Sequence, residues 1–365
     1  MKIALSEGTI FSGQPFGALR EARGEVVFNT GMVGYVETLT DPSYRGQILV
    51  TTYPLQGNYG VPEGPFESSR IQIQALIVHQ HCPSPSHHTS QRSLGAWLKS
   101  QGIPAIVCVD SRSLTRHLQK HGTTMGELLF EEHEKVTSSR QGDLPGSSED
   151  INMAKVVELV AAKEVTHYPG GELRILVVDT GAKENIFRCL QTLGATVIRV
   201  PWNHRWETYL NQVDGVTLTN GPGDPGQLPA LVERLRAVLQ YGIPLFGICL
   251  GNQLLALAAG ASTYKLKYGH RSHNQPVVDV TTQRAYLTSQ NHSYVVDATR
   301  LASEWETWFV NLNDGSNEGI RHKSKPFRSV QFHPESAAGP HDTRFLFEDF
   351  LRIAGQYRTT RARIA

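Results

Sequence analysis

Three groups of residues in this 365-residue chain carry side chains at a spacing suited to making and breaking an acyl bond. The first is centred on Cys249, in Phe246-Gly247-Ile248-Cys249-Leu250-Gly251. The preceding Ile243-Pro244-Leu245 reads as a buried strand, and residues 252–259 read as a helix. A cysteine flanked by glycines at a strand-to-helix turn is the thiol counterpart of the nucleophile elbow. The turn is tight, and side chains at its flanks would meet neighbouring backbone. The start of the helix favours thiolate over thiol, because its free N–H groups carry partial positive charge. On the local motif alone, a buried structural cysteine is the alternative. The second group is His333-Pro334-Glu335, which follows Ser329-Val330-Gln331-Phe332. Pro334 keeps His333 extended, so the imidazole and carboxylate leave one face together. A carboxylate on the far ring nitrogen would fix the tautomer and stabilise an imidazolium. The alternative is a turn histidine beside an incidental acid. The third group is the loop Asn220-Gly221-Pro222-Gly223-Asp224-Pro225. The backbone of Gly221 and Gly223, with the amide of Leu250, could supply N–H donors to an oxyanion. A glycine loop alone is more often a plain turn.

These residues need elements to hold them. From residue 173 onward, apolar runs alternate with helical patterns: strands at 175–178, 195–200, 215–219 and 243–245, helices at 183–193, 228–240 and 252–259. Such alternation predicts an α/β fold with a mainly parallel sheet and helices on both faces. Active sites in such sheets lie at the carboxyl ends of the strands, where both the glycine loop and Cys249 fall. The first half reads as a smaller α/β domain. Its strands are expected at 25–29, 71–78 and 105–109, with short helices from Leu94 and from an Asp110 or Ser111 cap. Residues 138–150 are polar and rich in turn formers, which places a linker over 136–170 between domains at 1–135 and 171–365. A short helical pattern at 153–160 falls within it.

Composition excludes several classes. The formal net charge of +1 gives no pull towards nucleic acid or an anionic membrane. No apolar stretch is long enough to span a bilayer, and the N-terminus does not read as a signal peptide. Cys82, Cys108, Cys189 and Cys249 form no C-x-x-C pair, which suits a reducing cytoplasm. His79, His81, His87 and His88 read as a solvated loop, and no metal is expected.

The ordered set of three motifs resembles the class I, or triad, glutamine amidotransferases over residues 173–357. The resemblance implies Cys249 as nucleophile, His333 as general base and then acid, and Glu335 as its orienter. The implied reaction is hydrolysis of L-glutamine through a γ-glutamyl thioester to glutamate and ammonia. The first half carries Gly24-Glu25-Val26-Val27-Phe28-Asn29-Thr30-Gly31, Thr40-Asp41-Pro42-Ser43-Tyr44 and Asp110-Ser111-Arg112-Ser113-Leu114-Thr115-Arg116. These resemble the N-terminal domain of the carbamoyl-phosphate synthase small-subunit family. That resemblance implies glutamine contacts from Ser43, Gly221, Gly223, Leu250, Gln253, Asn291, Ser293 and Tyr294, with Ser43 reaching across from the first domain. It also implies a large-subunit partner that takes the ammonia, bicarbonate and ATP to make carbamoyl phosphate for arginine or pyrimidine synthesis. No G-x-x-x-x-G-K-[ST] run is present, so ATP and magnesium are expected only on that partner, and no cofactor on this chain. The apolar strands of the first domain are the expected docking surface. A stand-alone thiol hydrolase and a silent scaffold are the competing readings.

Two departures from the family pattern stand out. Ser293 occupies a position where relatives often carry glycine, and a positive φ there would strain it. Arg271-Ser272-His273 replaces a stretch expected to be small and glycine-rich, and this is expected to alter the local surface.

Overall fold

The computed structural model describes residues 1–130 and 153–364. The polar stretch at 138–150 lies outside the described residues. The chain divides into two compact units, Met1–Ile151 and Asn152–Ala365.

The first unit is built on an eight-stranded sheet. Its centre is parallel: Ala22–Asn29, Gln47–Thr51, Ala75–Ile77 and Pro104–Val107 lie side by side. The strand expected at 71–78 is shorter, because Gln72 and Gln74 instead donate their N–H groups to Leu39 and Gln47 carbonyls. Alternate residues of the parallel strands feed two cores. Val27, Leu49 and Leu76 pack with Tyr35, Leu39, Trp97 and Leu98 from the helices Tyr35–Thr40 and Leu94–Ser100. Val26, Ile48, Val50 and Ile77 pack with Leu114 and Leu118 of the Ser111–His121 helix. That helix starts where the sequence predicts, with the Asp110 carboxylate accepting from the Ser113 N–H at 2.9 Å. The apolar strands are therefore consumed by the unit's own core, which corrects the expectation that they form a docking surface. His79, His87 and His88 are exposed, while His81 stacks on Phe16.

The second unit holds a ten-stranded sheet. Its parallel centre runs Thr196–Pro201, Arg174–Asp179, Gly215–Leu218, Leu245–Ile248 and Phe327–Val330. Helices Pro229–Val238 and Leu250–Ala258 cover one face, and Glu184–Thr192 and Phe345–Ile364 the other. Beyond Phe327–Val330 the sheet continues antiparallel through Asn317–His322, Trp305–Asn311 and the long hairpin Ser262–Asp279 with Ala285–Asp297. The helix Met153–Val160 and the strand Thr166–Tyr168 also belong here. Val157 is buried in this unit's core, and Thr166–Tyr168 pairs with Thr196–Pro201. Much of the segment expected as linker is thus part of the second fold. Among the described residues no helix is long and apolar enough to cross a membrane.

Candidate active site

Cys249 stands at the end of the Leu245–Ile248 strand and caps the Leu250–Ala258 helix. Its backbone is held at φ 54°, ψ −103°. Such a conformation costs about 1–3 kcal/mol in a non-glycine residue and persists only where the surroundings enforce it. Here the enforcement is visible. The Cys249 N–H donates to Val330 O at 2.9 Å, and the Cys249 carbonyl accepts from Asn252 and Gln253. A Cβ on Gly247 would lie 2.6 Å from Gly251 O, and one on Gly251 would lie 2.4 Å from Leu218 O. The glycines are required by close approach of backbone, as the sequence suggested.

The partner histidine arrives on the neighbouring strand. Phe327–Val330 pairs in parallel with Leu245–Ile248, Ile248 opposite Val330, so the chain delivers His333 just beyond the carboxyl end of the ladder. The His333 N–H donates to Ser289 O at 2.9 Å, fixing the turn. His333 Nδ1 meets Glu335 Oε1 at 2.7 Å, and both side chains are fully buried. The other ring nitrogen, Nε2, is buried with no hydrogen bond of normal length inside the protein. Burial alone would lower the pKa of His333, and Lys183 adds to this, but Glu335 and Cys249 outweigh both and raise it to about 10. Burial likewise would raise Glu335, while His333 and Lys183 bring it down to about 2. Each partner thus favours the charged form of the other.

Lys183 is the functional neighbour that sequence reasoning missed. Its ammonium lies 3.4 Å from Glu335 Oε1, and only 8% of the residue is exposed. Its backbone N–H donates to Asn220 Oδ1 at 3.0 Å, and Asn185 donates its side-chain amide to Glu335 O. The signal available was positional: Asp179-Thr180-Gly181-Ala182-Lys183 follows a parallel strand and ends beside the same strand edge as Cys249.

The remaining candidates divide. The Asn220 side chain bridges Gly181 O and the Lys183 N–H, which fixes the loop at its start. A Cβ on Gly221 would lie 2.2 Å from Thr180 O, and Gly223 has φ +99°, so both positions demand glycine. Leu250 is the first residue of its helix, so its N–H has no partner within the helix. Gln253 is buried and donates to Tyr294 O at 2.8 Å. Asn291, Ser293 and Tyr294 lie in the Ala285–Asp297 strand, and Asn291 O lies 3.7 Å from Cys249 Sγ. Ser293 does not have positive φ, so serine is unstrained there. Its hydroxyl accepts from Arg271 Nη2 at 2.5 Å. Arg271 and Ser272 are buried and His273 is half-buried, so most of this stretch lies inside the protein. Ser43 belongs to the first unit, in the Pro42–Tyr44 turn, where its N–H donates to the Asp41 carboxylate at 2.9 Å.

A second ionisable cluster lies in the same unit. His270, His292 and Glu318 bring possible ligand atoms within 4.8 Å of one another. His270 sits between Asp314 at 2.8 Å and Glu318 at 3.5 Å. Burial alone would lower the pKa of His270, but the two carboxylates raise it above its ordinary value. Burial, and then the His270 charge, hold His292 well below its own. Burial pushes the Glu318 carboxyl up, while His270 and Asn311 pull it back.

Comparison with known proteins adds the family. Residues 176–353 match the glutamine amidotransferase class-I family, and residues 3–128 match the carbamoyl-phosphate synthase small chain, CPSase domain. The carbamoyl phosphate synthase arginine-specific small chains of Debaryomyces hansenii and Schizosaccharomyces pombe are each 43% identical to this chain. In both cases 98% of this chain is covered, with 86% and 88% of the relatives. The multifunctional protein URA2 of Saccharomyces cerevisiae is 45% identical over 98% of this chain, which spans only 18% of that protein. With both halves matched in order and the arginine-specific relatives covered over most of their length, the chain belongs to the carbamoyl-phosphate synthase small-chain family.

Proposed function

We propose that this chain is the glutaminase component of a glutamine-hydrolysing carbamoyl-phosphate synthase. The observation that carries the reading is the buried Cys249–His333–Glu335 constellation at the carboxyl edge of the sheet. In this reading the Cys249 thiolate attacks the side-chain amide carbon of L-glutamine. The carbonyl oxygen becomes an oxyanion facing the Leu250 N–H and the backbone of Gly221 and Gly223. Loss of one such donor typically slows acyl transfer about 10²–10³-fold. The His333 imidazolium protonates the departing nitrogen, the C–N bond breaks, and ammonia leaves a γ-glutamyl thioester. The neutral ring then takes a proton from water, which attacks the thioester and releases glutamate and the thiolate. Glu335 holds the ring and its charge throughout, and Lys183 holds the Glu335 carboxylate. Asn291, Ser293 and Tyr294 hold the amino-acid end of glutamine, and Gln253 contacts it from the helix after Cys249.

The ammonia passes to a large synthetase subunit, which uses bicarbonate, ATP and magnesium to form carbamoyl phosphate for arginine or pyrimidine synthesis. This chain needs no cofactor or metal of its own. The four cysteines are free, which suits the reducing cytoplasm. The test is glutamate release by the purified chain, with and without a carbamoyl-phosphate synthase large subunit, for the natural protein and Cys249→Ser. Slow release alone, a marked rise with the partner and near loss in the variant are expected. Full activity in Cys249→Ser overturns the nucleophile assignment.

A further inference from the structure

Two polar groups of opposite kind lie beside the Cys249 sulfur. Asn291 O, an acceptor, lies at 3.7 Å, and the Gln331 side chain also lies at 3.7 Å. Which end of the Gln331 amide faces the sulfur is settled by a chain of contacts that starts at a backbone carbonyl. Tyr294 O can only accept, so the Gln253 group that meets it at 2.8 Å is the NH₂. That same NH₂ meets the Gln331 side chain at 3.2 Å, so Gln331 presents its oxygen there. Asn252 Nδ2 donates to the same oxygen at 3.1 Å, and its own Oδ1 accepts from Ser329 Oγ at 2.8 Å. Two donors thus clamp Gln331 Oε1, and the Gln331 NH₂ is turned to the sulfur. All of these side chains are buried, where an oriented dipole acts with little solvent screening.

We infer that Gln331 stabilises the nucleophile as a thiolate by donating its side-chain amide N–H to Cys249 Sγ. The neutral thiol has a use for Asn291 O, because S–H can donate to it. The thiolate cannot donate and takes the Gln331 N–H instead. The amide also stays in place during acyl transfer, since its polarity is fixed by Tyr294 O, Gln253 and Asn252 and not by the sulfur. Gln331 therefore acts beside the His333 imidazolium, as a second and uncharged source of thiolate stabilisation. The inference rests on the reading of Cys249 as the nucleophile.

The test uses the full chain and two variants. Gln331→Met removes the donor at similar volume. Gln331→Glu keeps the oxygen that Gln253 and Asn252 clamp, so it preserves the packing while placing an acceptor against the sulfur. The readout is the pH dependence of Cys249 alkylation by iodoacetamide, followed on the Cys249 peptide by mass spectrometry, with the exposed Cys108 as internal control. A charge-assisted hydrogen bond of ordinary strength predicts an upward shift of the alkylation midpoint by about one pH unit in Gln331→Met. A larger shift is expected in Gln331→Glu, with Cys108 unmoved. The acidic limb of glutamine hydrolysis should move by the same amount. An unchanged midpoint in Gln331→Glu overturns the inference, even where Gln331→Met fails to fold. A fall in hydrolysis with an unmoved midpoint also overturns it, and assigns Gln331 a purely structural role. Alkylation needs no glutamine, so these outcomes are separate from those that test the glutaminase reading.

Discussion

Arg271 and Ser293 are hydrogen-bonded to each other, guanidinium Nη2 to hydroxyl at 2.5 Å. Arg271 comes from the first strand of the long hairpin and Ser293 from the second, two residues beyond the Asn291 that pairs with Arg271. Arg271 also donates to Tyr268 O at 2.8 Å, so the guanidinium ties the hairpin together beside the segment expected to hold glutamine. The expected consequence is coupling in substrate binding. Arg271→Met and Ser293→Gly should each raise KM for glutamine, and the double variant should be no worse than Arg271→Met alone. The coupling should be about 1 kcal/mol, or about fivefold in KM. Steady-state kinetics on the four proteins measures it, and strictly multiplicative effects would show that the contact carries no energy.

Glu335→Gln removes the group that most raises the His333 pKa, while burial and Lys183 continue to lower it. The ring then loses its imidazolium at lower pH and its orienting acceptor is weakened. Glutamine hydrolysis should fall by about 10²–10⁴-fold, and its basic limb should move to lower pH. A pH–rate profile of the variant decides the matter. A profile that falls in height without moving would contradict the charge coupling.

The same shifts bear on stability. His333 has its pKa raised on folding, so its contribution is complete below its ordinary value of 6.5 and is lost as pH rises towards about 10. Glu335 has its pKa lowered, so its contribution is complete above 4.5 and is lost as pH falls towards about 2. The stability difference between the natural chain and His333→Asn should therefore be largest near pH 6 and shrink steadily from pH 7 to 10. Urea unfolding at a series of pH values measures this, and a difference that grows with pH would reverse the assignment.

Gly251→Ala tests the elbow itself. Its new methyl would sit 2.4 Å from Leu218 O, an atom of sheet backbone with no room to retreat. Overpacking of this kind costs about 1–3 kcal/mol. The melting temperature should fall by roughly 3–10 °C, and glutaminase activity should fall further than the stability loss explains, because Cys249 must shift. Calorimetry and glutamate release at a temperature where the variant is folded measure the two effects.

How much of this was legible in the sequence depended on distance along the chain. Cys249 between its glycines, and His333 two residues from Glu335, are local patterns, and local patterns project directly into local geometry. The parallel strands were equally plain, since strands buried on both faces read as unbroken apolar runs. The antiparallel half was not. Its long hairpin strands lose their period-two pattern at register shifts between Lys265 and His270 and between Ser272 and Gln275. Lys183 was invisible because it meets Glu335 across 152 positions, and the Gln331 relay because it joins three separate strands and a helix. The helix Met153–Val160 was read correctly but given to a linker, because nothing in eight residues says which core will take their apolar face.

The register of Leu245–Ile248 against Phe327–Val330 has a further consequence for how the gene can vary. The spacing of thiol and imidazole is set by one short parallel ladder, with Leu245 opposite Phe327 and Ile248 opposite Val330. Of the 78 residues between those strands, Ser289 enters into it through its carbonyl, which accepts from the His333 N–H. Extra length in the turn at 298–304 should leave the reacting atoms where they are. A single residue inserted between Val330 and His333 would carry the ring to the wrong side of the chain and silence the enzyme.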